Sequence, residues 1–225
     1  MPVRKSVLPE ASNEELSRHW SWRPDWTSER RNWWWYATFE SDPVVQGLAA
    51  DARSAIRPDA PVDVVPARWL HLTLAEFGYA DTIPRQLAYE CARRAQQRLV
   101  DQAPIDLWVE PVSTMAGAVV LPVSGAGLAE AYDGLVAALR ETLPEPPEQR
   151  PFEPHVSVAY VARDCHPADV LDDRIADRCA PGRSRLSRVS LVEVTRERGH
   201  YRWTPRCQVP LRALPQRHLR AVTDR

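Results

Sequence analysis

Residues 66–78 read PARWLHLTLAEFG, and residues 150–160 read RPFEPHVSVAY. Each holds a histidine with a hydroxyl residue two positions on, His71 with Thr73 and His155 with Ser157, inside an apolar run of strand character. Strand side chains alternate between faces with a period of two. His71 and Thr73 therefore share one face, and Leu70, Leu72 and Leu74 share the other. The same parity groups His155 with Ser157. One such pair is a weak signal. Two pairs, one in each half of the chain and each following a helix-bearing unit, are a much stronger one: if the two strands lie side by side around a cleft, it holds two imidazoles and two hydroxyls.

The surrounding sequence supplies the other elements. WWWYATFE (33–40) reads as a strand and PVVQGLAADARSAI (43–56) as a helix stopped by Pro58. Residues 62–78 read as one or two strands. PRQLAYECARRAQQRLVDQ (84–102) is a helix with Pro84 in its first turn and Leu87, Cys91, Ala95 and Leu99 on one stripe. Residues 105–123 read as two strands, and 127–143 as a helix ended by the proline cluster PEPPEQRP. A strand at 152–162, a short helix at 170–179 and a hairpin over 188–211, turning near Gly199, complete the order. Residues 1–30 are polar and irregular. Trp20, Trp22 and Trp26 are expected to pack this extension onto the main body. The domain is expected over 31–215, with a basic tail at 216–225.

Two imidazoles and two hydroxyls in one cleft suit displacement at phosphorus. Histidine titrates near neutrality, so one ring can hold a proton while the other lacks one. One then deprotonates the attacking oxygen while the other protonates the leaving alkoxide. Neutral hydroxyls are donors matched to non-bridging phosphate oxygens. The set needs no metal and no cofactor.

The paired HLTL and HVSV motifs, with VPARWLHLTLAEFG and RPFEPHVSVAY around them, resemble the 2H phosphoesterase superfamily. Within it they look like the LigT-like 2′-5′ RNA ligase and 2′,3′-cyclic phosphodiesterase group. The resemblance spans roughly residues 33–211. It implies a bilobal α+β fold, with two antiparallel sheets lining a central cleft and helices outside. It also implies metal-independent hydrolysis of 2′,3′-cyclic phosphates, or opening or ligation of 2′-5′ phosphodiesters. By position, His71 and His155 become the acid–base pair, and Thr73 and Ser157 the phosphate-binding hydroxyls. For hydrolysis His155 is taken as base and His71 as acid. The chain departs from the group in having Ser157 in place of threonine. It also has Tyr160 where many LigT-like members carry an arginine shortly after the second motif.

Further candidates for substrate contact are Tyr160, Trp69 on the parity of His71, and Tyr201 beyond the Gly199 turn. Arg196 and Arg198 are candidates for phosphate. In WWWY, alternation sets Trp33 and Trp35 on one face and Trp34 and Tyr36 on the other; Trp35 and Tyr36 are carried as candidates from the two faces. His19, His166, His200 and His218 read as structural or surface residues. Net charge is −1, but Arg183–Arg225 holds eleven arginines against three acids, which suits an anionic partner or a solvated surface. Cys91, Cys165, Cys179 and Cys207 form no C-x-x-C pair, and no apolar run approaches a membrane span. The expectation is a cytoplasmic monomer with reduced thiols, no membrane association, and an RNA end or nucleotide bearing a cyclic phosphate as partner. Three alternatives stay open: a 2′-5′ RNA ligase, a phosphodiesterase for 2′-5′ or cyclic oligonucleotides or ADP-ribose cyclic phosphate, and a non-catalytic protein that binds RNA ends.

Overall fold

The computed structural model describes residues 15–21 and 23–212. Trp22, His218 and the 216–225 tail lie outside the described residues. The elements run β1 (Arg31–Thr38), α1 (Pro43–Ser54), β2 (Val62–Val64), β3 (His71–Tyr79), α2 (Arg85–Arg98), β4 (Ile105–Val109) and β5 (Ser113–Met115). They continue with β6 (Ala118–Ser124), α3 (Leu128–Thr142), β7 (His155–Val161), α4 (Asp173–Ala176), β8 (Gly182–Leu186), β9 (Arg188–Arg196) and β10 (Tyr201–Pro210). Residues 105–124 form three strands where two were expected. β8, the sequence GRSRL, was not anticipated, because only Leu186 in it is buried and its arginines mask any apolar alternation.

The fold is α+β, an antiparallel sheet curled into a half-barrel with few helices. Its strand order is β10-β9-β1-β3-β7-β6-β4-β8. Two antiparallel halves, β10-β9-β1-β3 and β7-β6-β4-β8, meet along β3 and β7 at the pair Leu72↔Val156. β2 extends the seam by pairing with the far end of β7. The seam therefore runs through the middle of both motifs.

The helices are set by local chemistry and cover the outer face. Asp42 caps α1 by accepting from the Val44 and Val45 amides, with Pro43 in the first turn where it forfeits no helical bond. α2 and α3 bury Ala88, Cys91 and Ala95 on one and Ala131, Leu135 and Leu139 on the other, and these stripes pack the core. Burial pushes the Cys91 thiol up to about 12, so it behaves as a small apolar group. At the β9–β10 turn, Gly199 has φ +82°, a conformation that costs glycine no steric penalty. Among the described residues, no helix is long and apolar enough to cross a membrane.

A candidate active site at the seam of the two halves

Both motif strands carry the same irregularity. Against β1, β3 pairs Thr73 with Tyr36 and Ala75 with Trp35, leaving Leu74 as an extra residue. Against β6, β7 pairs Ser157 with Val120 and Ala159 with Val119, leaving Val158 extra. Each is a β-bulge placed one residue after the hydroxyl, and a bulge shifts face parity by one. Three residues past Thr73, Glu76 therefore returns to the cleft face. Three past Ser157, so does Tyr160. Simple alternation would have put Tyr160 on the opposite face from His155.

Antiparallel register fixes the rest. Continued outward from the Leu72↔Val156 pair, it sets His71 across from Ser157 and Thr73 across from His155, all on the face opposite Leu72 and Val156. Each histidine thus has the other strand's hydroxyl opposite it. His71 and His155 lie on the diagonal of this pairing, where residue positions are typically about 7–8 Å apart.

The rings are held alike. His71 Nδ1 donates to the Trp69 carbonyl at 2.7 Å, and His155 Nδ1 donates to the Glu153 carbonyl at 2.7 Å. A carbonyl can only accept, so Nδ1 carries the proton in both, and Nε2 of each neutral ring is the lone-pair nitrogen. The Trp69 carbonyl also accepts from Trp203 Nε1 at 3.4 Å. Tyr36 stacks on His71, with ring centroids 4.0 Å apart and planes at 14°.

Their electrostatics differ. Burial lowers the His71 pKa to about 4, against the bond to the Trp69 carbonyl, and His155 lowers it further. His155 is half-buried. Burial lowers its pKa too, but the Glu153 carbonyl and the Glu153 charge both oppose the shift. His71 is thus the ring held neutral more firmly, and His155 the one nearer to carrying a proton. This order runs against the assignment of His155 as base.

The loop before β7 completes one wall. Gln149 accepts from the Glu76 amide and donates to the Glu76 carbonyl, both at 2.9 Å, so it acts as a short surrogate strand where β3 has bulged away. Phe152 stacks on Tyr132 of α3 at 4.5 Å. Arg150, between these anchors, lines two cavities on either side of His155. One is about 400 Å³ and includes Ser157; the other is about 130 Å³ and includes Thr73. Sequence reasoning missed Arg150, Gln149 and Trp34. The only signal for Arg150 was its place in the proline-flanked run that leads into the second histidine.

The remaining candidates scatter. Tyr36 lies on the cleft face with Trp34. Trp35 does not: it pairs with Ala75 on the outer face, is fully buried, and faces Cys91 of α2, so it is withdrawn as a substrate contact. Trp69 serves through its carbonyl, while its side chain packs edge-on against Trp203. Tyr160 and Tyr201 are buried on the cleft face beneath His19, Trp20 and Trp26. Arg196 is a further correction. Its guanidinium donates to the carbonyls of Trp20 (2.5 Å), Arg23 (2.9 Å) and Trp26 (3.2 Å), so it holds the N-terminal segment and not a phosphate. Arg198 is exposed in the β9–β10 turn and lines neither cavity beside His155. Among the described residues, no group of three or more His, Cys, Asp or Glu side chains is placed to hold a metal ion.

A curled antiparallel sheet with paired His-x-hydroxyl strands at its seam is the architecture of a 2H phosphoesterase of LigT-like form. The chain belongs to the 2′-5′ RNA ligase superfamily, which it matches over residues 41–198. It is similar in structure to TT0787 of Thermus thermophilus, with a TM-score of 0.63 and 20% identity, over 82% of this chain and 98% of that one. It is also similar to E. coli LigT in its apo form, with a TM-score of 0.60 and 16% identity, over 81% and 98% of the two chains. The complex of LigT with 3′-AMP gives a TM-score of 0.59 at 17% identity over the same shares. No curated protein sequence matches the chain. Membership supports chemistry of the phosphodiesterase or ligase type on phosphodiester bonds.

Proposed function

We propose that the protein is a metal-independent phosphodiesterase that opens 2′,3′-cyclic phosphates on RNA ends or small nucleotides. His71 and His155 form the acid–base pair, and Thr73 and Ser157 are the donors to the non-bridging oxygens. The observation that carries this reading is the matched tautomer: both rings spend Nδ1–H on a backbone carbonyl two residues back and keep Nε2 for the cleft. The structures of E. coli LigT with 3′-AMP and with phosphate add support, since that protein shares the fold.

In this mechanism His71, held neutral, takes a proton from water as the water oxygen attacks phosphorus. The bond from phosphorus to one ribose oxygen breaks. Protonated His155 delivers its proton to that oxygen, leaving a phosphomonoester and a free hydroxyl. Arg150 supplies positive charge beside the phosphate as a substrate-binding residue. In the reverse direction the two histidines exchange roles.

The test is hydrolysis of a 2′,3′-cyclic mononucleotide in excess EDTA. The wild type should turn over, and His71→Ala and His155→Ala should each lose activity by about 100-fold or more. Wild-type rates in either variant would refute the assignment, and loss of activity on chelation would refute the metal-free mechanism. A panel of 2′-5′ linked oligonucleotides, ADP-ribose cyclic phosphate and RNA ends sets the substrate. A tight complex with no product over long incubation would make the protein a binder.

A further inference from the structure

Residues 15–21 and 23–30 precede the stretch matched by the family, yet they are built into the cleft. Leu16 exchanges both backbone bonds with Cys165 at 2.8 and 3.1 Å. Trp20 Nε1 donates to Asp63 at 3.0 Å, and the three-carbonyl grip of Arg196 fixes the middle of the segment. Arg23 pairs with Glu76, and Trp26 stacks on Tyr201 at 5.2 Å. The segment brings a third histidine to the site. His19 stacks on Tyr160 at 4.1 Å, meets the Tyr201 hydroxyl through Nε2 at 3.0 Å, and lines the same 400 Å³ cavity as His155 and Ser157.

The opposite wall is shaped to receive it. The two-residue turn between β5 and β6 is Ala116-Gly117. Ala116 has φ +46°, the only positive φ of a non-glycine among the described residues. Its carbonyl accepts from the Ser17 amide at 3.3 Å. A Cβ on Gly117 would sit 2.6 Å from the Ser17 carbonyl oxygen and 3.1 Å from the His19 Cα, so the turn admits the segment only as glycine.

We propose that residues 17–21, with His19 at their centre, form the wall against which the nucleoside part of the substrate rests. This makes His19 a substrate-contacting specificity residue. The inference rests on the phosphodiesterase reading of the same site. A phosphate seated at His155, Ser157 and Arg150 has its organic part in the cavity between His19 and Met115. That cavity falls within the range of about 300–1,000 Å³ for small-molecule sites, and it fits one nucleotide. Burial lowers the His19 pKa to about 3, the charges of Arg196, His155, Arg150 and His71 lower it further, and the ring stays neutral. It therefore offers a neutral ring to a base or ribose and does not compete with the catalytic pair for protons.

The experiment compares two substrates, a 2′,3′-cyclic nucleotide and glycerol 1,2-cyclic phosphate, which has the same five-membered ring and no base. His19→Ala removes the ring. Gly117→Ala crowds the segment at the Ser17 carbonyl and the His19 backbone while keeping the His19 side chain. Both should raise KM for the cyclic nucleotide by about tenfold with kcat changed by less than about threefold, and leave kcat/KM for the glycerol compound unchanged. An equal fall on both substrates would make the segment merely structural. A rise in activity would make it a plug. No change would remove it from the site. Each of these overturns the inference. If the wild type turns over neither compound, the phosphodiesterase reading fails by itself. Calorimetry with 2′- or 3′-AMP against inorganic phosphate then decides: His19→Ala must weaken the nucleotide by about tenfold and leave phosphate unchanged, and any other pattern, including no binding at all, overturns the inference.

Discussion

Replacing His71 with glutamine isolates the cost of burying an imidazole under the cleft floor. His71 has a folded-state pKa of about 4, lowered by burial from the ordinary 6.5, because its ring lies 7% exposed beneath Tyr36. The unfolded chain binds the proton more tightly than the folded one, so falling pH favours unfolding through this group. Its contribution is fully present above the unfolded value of 6.5 and is lost as pH falls toward 4. The loss amounts to about 2 kcal/mol by pH 5 and about 3 kcal/mol by pH 4, from the linkage of a 2.5-unit gap. Glutamine cannot take up that proton, so the variant lacks this titration. Urea unfolding of both proteins between pH 7 and pH 4 measures the effect as a difference of differences. The wild type should lose about 3 kcal/mol more than His71→Gln over that interval, whatever other groups contribute to both. Equal losses would show that His71 titrates normally and that the neutral-base argument is wrong.

Other expectations follow from the same geometry. Thr73→Ala and Ser157→Ala should each lower kcat for cyclic phosphate hydrolysis by about 100-fold with little change in stability, as loss of one transition-state donor does; urea midpoints run beside the kinetics separate the two. The profile of kcat/KM against pH should rise as His71 loses its proton near pH 4 and fall as His155 loses its own below the ordinary histidine value, giving an optimum on the acid side of 6.5. An optimum above pH 7 would contradict this assignment of base and acid. Arg196→Met should destabilise the fold by about 2–4 kcal/mol, because it strips donors from three carbonyls of the N-terminal segment at once. Trypsin cleavage within residues 18–30 should accelerate in parallel.

What the sequence disclosed was whatever depends on identity and parity. The two His-x-hydroxyl pairs, their common face and the seam between halves all follow from period-two alternation and one repeated pattern. The family resemblance carried by those motifs agreed with the fold. Parity failed where the backbone broke step. Tyr160 reaches the cleft only because Val158 is a bulge residue, and nothing in the run HVSVAYV marks a bulge. The same alternation left open which face of WWWY turned inward, and only the pairing of Trp34 with Glu76 and Tyr36 with Thr73 settles it. Contacts between distant segments were invisible altogether. Arg196 and His19 are 177 positions apart in sequence order, and no local rule connects a hairpin arginine to the carbonyls of an irregular N-terminus.

The bulges also explain a departure that the sequence posed without an answer. Glu76 and Tyr160 occupy matching positions, each five residues after a motif histidine and each turned inward by a bulge two positions before it. Both are spent on the N-terminal segment: Glu76 holds Arg23, and Tyr160 stacks on His19. Many LigT-like members carry an arginine shortly after the second motif. A guanidinium at position 160 would lie against the buried His19 ring, replacing a stacking surface with an unpaired charge in a poorly hydrated place. Tyrosine removes that conflict, and the mechanism proposed above takes its positive charge from Arg150, on the loop that Gln149 clips to the Glu76 backbone. The N-terminal segment and Tyr160 therefore fit one another. A chain with the segment and an arginine at 160 would bury a charge, and a chain with Tyr160 and no segment would expose the aromatic floor of the cleft.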